Sequence, residues 1–77
     1  MKFKIYSKQG CSTCVQTKQF LEGVGVEFEY LLFGKDYDMQ NFMSFGVAHR
    51  TFPLISKVED DVESYVGTFE DLKTLLN

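Results

Sequence analysis

A chain of 77 residues, 44% apolar and 25% charged, is one small globular domain (residues 1–77), neither a disordered segment nor a multidomain protein. Its formal charge of −3, with no basic stripe interleaved with aromatics, argues against a nucleic-acid partner. No run could span a membrane and Met1 to Tyr6 lacks the apolar stretch of a signal peptide, so a cytoplasmic monomer is expected.

Eight Phe and four Tyr supply much of the core, because each ring buries a large area. Lys2, Lys4, Lys8 and Lys18 fall in the first twenty residues with no acid among them, whereas Glu59, Asp60, Asp61, Glu63, Glu70 and Asp71 crowd the end. Most such clusters are solvated surface.

Lys2 to Tyr6 alternate and predict a first strand. A helix follows over about residues 12–22, with Cys14, Thr17, Leu21 and Val24 as its inward stripe and Gly23 and Gly25 as its stop. Val26, Phe28 and Tyr30 alternate with glutamates in a second strand. Asp36 or Asp38 caps a second helix that carries Met39, Phe42 and Met43 into the core and ends at Gly46. Leu54 to Val58 and Val62 to Val66 form a hairpin around Glu59-Asp60-Asp61. A last helix starts at Thr68, paired with Asp71 as a cap, and presents Phe69, Leu72, Leu75 and Leu76 on one face.

The order βαβαββα predicts a four-stranded mixed sheet with helices on both faces, its first βαβ unit parallel and right-handed. Lys2 and Lys4 conflict with a first strand covered on both sides, and are expected to reach water from its end.

Cys11 and Cys14 stand where the first strand hands over to the first helix. A bridge between them closes a loop too small to be a useful staple, worth roughly 2 kcal/mol at most. Two Cys and one His leave a zinc site short of its four ligands within one chain, although a cluster shared between chains stays open. Redox chemistry fits better. Unpaired N–H groups and the partial positive charge of a helix start stabilise a thiolate at Cys11, with Lys8 adding to the effect. Cys14, one turn on and less exposed, is placed to resolve the mixed disulfide that Cys11 forms. His49 reads as an exposed, idle histidine of a polar loop, and Tyr6 as either a site-lining residue or packing.

Three motifs in order carry a resemblance: Tyr-x-Lys-x-x-Cys-x-x-Cys over Tyr6 to Cys14, Thr51-Phe52-Pro53, and Gly67-Thr68-Phe69-Glu70-Asp71-Leu72. Together they make the chain similar to the glutaredoxin family, including the glutaredoxin-like hydrogen donors of ribonucleotide reductase. The resemblance implies a minimal thioredoxin-like α/β fold. It implies reduction of protein or glutathione mixed disulfides by Cys11 and Cys14, with ribonucleotide reductase as one candidate acceptor. It implies that no cofactor is bound, with glutathione as the expected reducing co-substrate and thioredoxin reductase as the alternative recycler. It further implies a cis peptide before Pro53 that aims the Phe52 backbone at substrate. Gly67, Phe69, Glu70 and Asp71 would hold the γ-glutamyl end, and Lys8 and Arg50 would attract carboxylates beside Tyr6 and Thr51. Ser12-Thr13 replaces the usual Pro-aromatic pair between the cysteines, and Thr68 replaces a glycine. A reading from another class is a binding module of the same fold that uses its cysteines for an Fe–S cluster or as a redox sensor.

Overall fold

Alternation along the first strand decides how the sheet is covered. In the computed structural model, which describes residues 2–43 and 52–76, the elements run β1 (Lys2–Ser7), α1 (Ser12–Val24), β2 (Phe28–Leu32), α2 (Met39–Met43), β3 (Leu54–Glu59), β4 (Val62–Gly67) and α3 (Phe69–Leu76). The strands form one sheet in the order β2-β1-β3-β4, with β1 parallel to β2 and antiparallel to β3, and β4 antiparallel to β3. Ile5 lies opposite Tyr30 on one side and Ile55 on the other, which sets the register at the centre. This is the minimal thioredoxin-like α/β architecture.

Phe3 and Ile5 point to the face covered by α1 and α3, where Leu21, Ile55 and Leu72 complete a fully buried cluster. Burying a leucine side chain contributes roughly 2 kcal/mol, so Leu21 and Leu72 fasten the two helices to the sheet. Phe20 and Phe69 meet edge to face, 5.6 Å between centroids, where the helices touch.

On the opposite face Tyr6, Tyr37 and Leu54 form a second cluster with Leu31 and Phe52. Beside it lies a charged row that resolves the conflict posed by the strand lysines. Lys2 and Lys4 reach Glu29 at 3.5 and 3.9 Å, and Lys4 reaches Glu63 at 3.7 Å. Lys4 keeps 29% of its side chain in water, so its charge is paired without being sealed in. Glu63 Oε2 also accepts from Tyr6 Oη and Ser56 Oγ, each at 2.5 Å. Burial, then the hydrogen bond and charge of Glu63, hold the Tyr6 hydroxyl well above its ordinary range. Burial does the same for Tyr37, whose hydroxyl donates to Ser7 O at 2.7 Å.

The ends of α1 depart from the expected stripe. Cys14, Thr17 and Leu21 are buried, but Val24 is 49% exposed. The reason is the C-cap. Gly25 takes a left-handed conformation (φ 75°), its N–H bonding to Glu22 O, and the Val26 N–H returns to Leu21 O. That Schellman closure turns the chain so that Val26, rather than Val24, packs beside Leu21. Gly23 stays inside the helix and does not stop it.

The methionines of α2 are a second correction: Met39 and Met43 are 45% and 67% exposed rather than core. This helix spans only Met39–Met43, and the burial expected of it falls instead to Tyr37 just before it. The side chain of Phe42, and all of Gly46, lie outside the described residues. In α3, Phe69, Leu72 and Leu76 face the core while Leu75 is 49% exposed. The hairpin turns on Asp60 and Asp61, with φ values of 53° and 65°, the left-handed pair that a two-residue turn between twisted strands requires. Among the described residues no helix is long and apolar enough to cross a membrane.

Candidate active site

β1 ends at Ser7, and the loop to α1 turns at Gly10, whose φ of 75° a side chain would strain. The turn delivers Cys11 as the N-cap of α1. Its sulfur occupies the place that a serine or aspartate oxygen usually takes, and accepts the Cys14 N–H at 3.1 Å. An otherwise unpaired amide of the first turn thus points at the sulfur where negative charge would develop. Cys14 is fully buried and disulfide-bonded to Cys11, with Cα atoms 5.3 Å apart. Cys11 is partly exposed. One sulfur is therefore open to a substrate and the other is not.

Two grooves open along the start of α1. One, of about 450 Å³, is lined by Thr13 and Gln16 of α1, by Phe52 and Pro53, and by Thr68, Phe69, Glu70 and Lys73 at the start of α3. The other, of about 380 Å³, runs from Lys8, Gln9, Gly10, Cys11 and Ser12 to Val15, Tyr30 and Leu32. The Phe52–Pro53 peptide is cis. Lys8 belongs to the second groove, yet its Nζ sits 5.2 Å above the Phe52 ring at the boundary between the two.

Of the residues expected at the site, Phe52, Pro53, Phe69 and Glu70 meet in the first groove and Lys8 and Cys11 in the second. Tyr6 lines neither; it is 6% exposed, edge-on to Tyr37 at 5.0 Å, and turned toward Glu63. Gly67 is buried, and Asp71 lies on the far side of the α3 start. There Asp71 Oδ2 accepts from Thr68 N at 2.9 Å and Thr68 Oγ1 at 3.1 Å, the capping pair expected from the sequence. Arg50, Thr51 and His49 lie outside the described residues.

The structure also brings in residues that no motif singled out. Thr13, Gln16 and Lys73 join the first groove. Their signal lay in helix geometry, since residues 13 and 16, and 69, 70 and 73, share a face at i, i+3 and i+4 spacing. Lys73 holds Glu70 at 3.0 Å and covers the Phe69 ring at 4.8 Å.

A thioredoxin-like sheet that presents a two-cysteine disulfide at a helix N-terminus is the arrangement of a thiol–disulfide exchange protein. Residues 3–58 match the family model described as Glutaredoxin, and the chain belongs to the glutaredoxin family. Among solved structures it is similar to glutaredoxin 1 from Francisella tularensis complexed with cacodylate, at 27% identity and a TM-score of 0.72, covering 97% of this chain and 91% of that one. A point mutant of the thioredoxin-like protein BC3987 shares the fold at 23% identity and a TM-score of 0.59, covering 97% of this chain and 99% of that one. None of the curated proteins matches the sequence. Family and cysteine pair together support thiol–disulfide oxidoreductase activity in general terms.

Proposed function

We propose that the protein is a cytoplasmic, monomeric electron carrier that reduces protein or glutathione mixed disulfides, with glutathione as its reductant. The observation that carries this reading is the Cys14 N–H aimed at Cys11 Sγ, with Cys14 itself buried. In the reduced state the same amide and the helix dipole favour a Cys11 thiolate. That thiolate attacks one sulfur of the substrate disulfide, and the other substrate sulfur leaves as a thiolate. Cys14, after losing its proton, attacks Cys11 Sγ, releases the second substrate thiol and closes the Cys11–Cys14 disulfide. One glutathione thiolate then opens this disulfide at Cys11. A second attacks the glutathione sulfur, which frees Cys11 and yields glutathione disulfide.

Glutathione is supported by the first groove. Phe52 and Pro53 offer backbone groups, α3 offers its N-terminal turn, and Lys73 offers a cation, with Lys8 at the boundary. A tripeptide with two carboxylates and one ammonium matches that mixture, with Glu70 as the partner for the ammonium. Ribonucleotide reductase is among the disulfide proteins such a carrier would serve.

The test is steady-state NADPH oxidation on a protein mixed disulfide, with glutathione plus glutathione reductase in one arm and thioredoxin reductase in the other. Turnover in the glutathione arm is expected. Turnover only with thioredoxin reductase removes the glutathione assignment and leaves the dithiol chemistry intact. Lys73→Ala should raise KM for glutathione mixed disulfides more than it lowers kcat, because it withdraws binding rather than bond-breaking.

A further inference from the structure

We propose that the second groove, between α1 and β2, is a recognition subsite for protein substrates. It would take an apolar side chain beside the substrate's cysteine and an acidic one next to it. The inference rests on the dithiol reading above and extends it to what the substrate looks like.

The groove is built by ordinary periodicity. Tyr30 and Leu32 alternate on the same face of β2, and Val15 stands one helical turn after Cys11 on α1. Val15 is 45% exposed, which leaves an apolar wall open to solvent immediately beside the reactive sulfur. The Cys11 residue itself forms one end of the groove. A peptide disulfide-linked to Cys11 would have its neighbouring residues within reach of this wall.

Charge selects among peptides. Among the described residues no carboxylate lines the groove, although the chain as a whole carries −3. Lys8 lines the groove with Cys11, and Lys18, outside the lining, holds its Nζ 5.5 Å from the ring of the lining residue Tyr30. At Leu32, the Asp36 Oδ2 is engaged by the backbone, accepting the Leu32 N–H at 2.9 Å. Two cations around an apolar trough complement a leucine-like side chain followed by an acid, and oppose a basic peptide.

The probes are disulfide-linked homodimers of three capped tripeptides: Leu-Cys-Glu, Leu-Cys-Lys and Gly-Cys-Glu. Because each dimer is symmetric, either sulfur that Cys11 attacks carries the same sequence. The protein is reduced beforehand and freed of reductant. Each turnover then converts one dimer to two peptide thiols and the protein to its Cys11–Cys14 disulfide, followed by mass spectrometry. Each rate is divided by that of dithiothreitol on the same dimer, which removes differences in leaving-group acidity. Leu-Cys-Glu should exceed Leu-Cys-Lys by about fivefold, the scale of one exposed ion pair. It should exceed Gly-Cys-Glu by about tenfold, the scale of one apolar contact. Lys8→Glu should invert the charge preference, and Val15→Glu should erase the advantage of leucine over glycine. Turnover of all three dimers at normalised rates within about 1.4-fold overturns this inference alone, since such ratios lie below the weakest exposed ion pair. Absence of turnover on every dimer overturns it together with the dithiol reading.

Discussion

Cys11→Ser is expected to lower disulfide reduction by more than about a thousandfold, because Cys11 is the one of the two cysteines that a substrate can meet. Cys14 cannot substitute for it. Cys14 is fully buried beneath the first turn of α1, and its backbone N–H serves the Cys11 sulfur. Cys14→Ser should behave differently. The first attack by Cys11 expels one peptide thiol, but no second sulfur is present to displace the other, so a protein–peptide mixed disulfide accumulates, heavier than the free protein by one peptide thiol less two hydrogens. Glutathione can still resolve that adduct from solution, so partial glutathione-dependent turnover is expected. Intact-protein mass spectrometry of both variants after exposure to a peptide disulfide checks the assignment. An adduct that forms on Cys11→Ser as fast as on Cys14→Ser would reverse the two roles.

Gly67→Ala should destabilise the fold by about 2–3 kcal/mol, from backbone strain plus loss of a cap. Gly67 holds φ at 129°, a conformation that side chains rarely adopt. A Cβ there would collide with the Asp71 carboxylate, whose Oδ2 accepts both Thr68 hydrogen bonds at the start of α3. The carboxylate must swing away, and the cap goes with it. For a domain of this size the loss reads as a fall in Tm of about 10 °C or more. Asp71→Ala alone should cost about 1 kcal/mol as a lost cap. The double variant should then lose less than the sum of the two, because removing the carboxylate removes the collision. Strict additivity in thermal or urea unfolding would place the cost of Gly67→Ala in backbone strain alone.

The legible part of this protein was carried by period and punctuation. Alternation at Lys2 to Tyr6, the Cys14–Thr17–Leu21 spacing, and the turn at Asp60-Asp61 each have one dominant physical reading, and the structure follows them, whereas the strand expected from Val26 starts at Phe28. Elements failed where a cap or a short helix overrode the period. Val24 lost its place to Val26 because a Schellman closure reverses the chain at Gly25, and hydrophobic spacing carries no trace of that bend. Met39 and Met43 were placed in the core by spacing that a single-turn helix is too short to express. At the site, the cysteines were legible because helix-terminus chemistry demands them there. The groove walls were not. Val15, Tyr30 and Leu32 meet only because β2 lies beside β1 in parallel, a tertiary fact that spacing within one element does not encode. Helix spacing sets Lys73 beside Phe69 and Glu70, but only the fold brings that face of α3 against Thr13, Gln16, Phe52 and Pro53.

The account rests on Cys11 being a nucleophile made by its place at a helix start. The direct measurement is the rate of iodoacetamide alkylation of the Cys14→Ser variant as a function of pH, with the modified residue located by mass spectrometry. Modification should fall on Cys11, with a midpoint below the free-thiol value of about 8.5, because the helix N-terminus and Lys8 both favour the thiolate. A midpoint at or above that value would contradict the account.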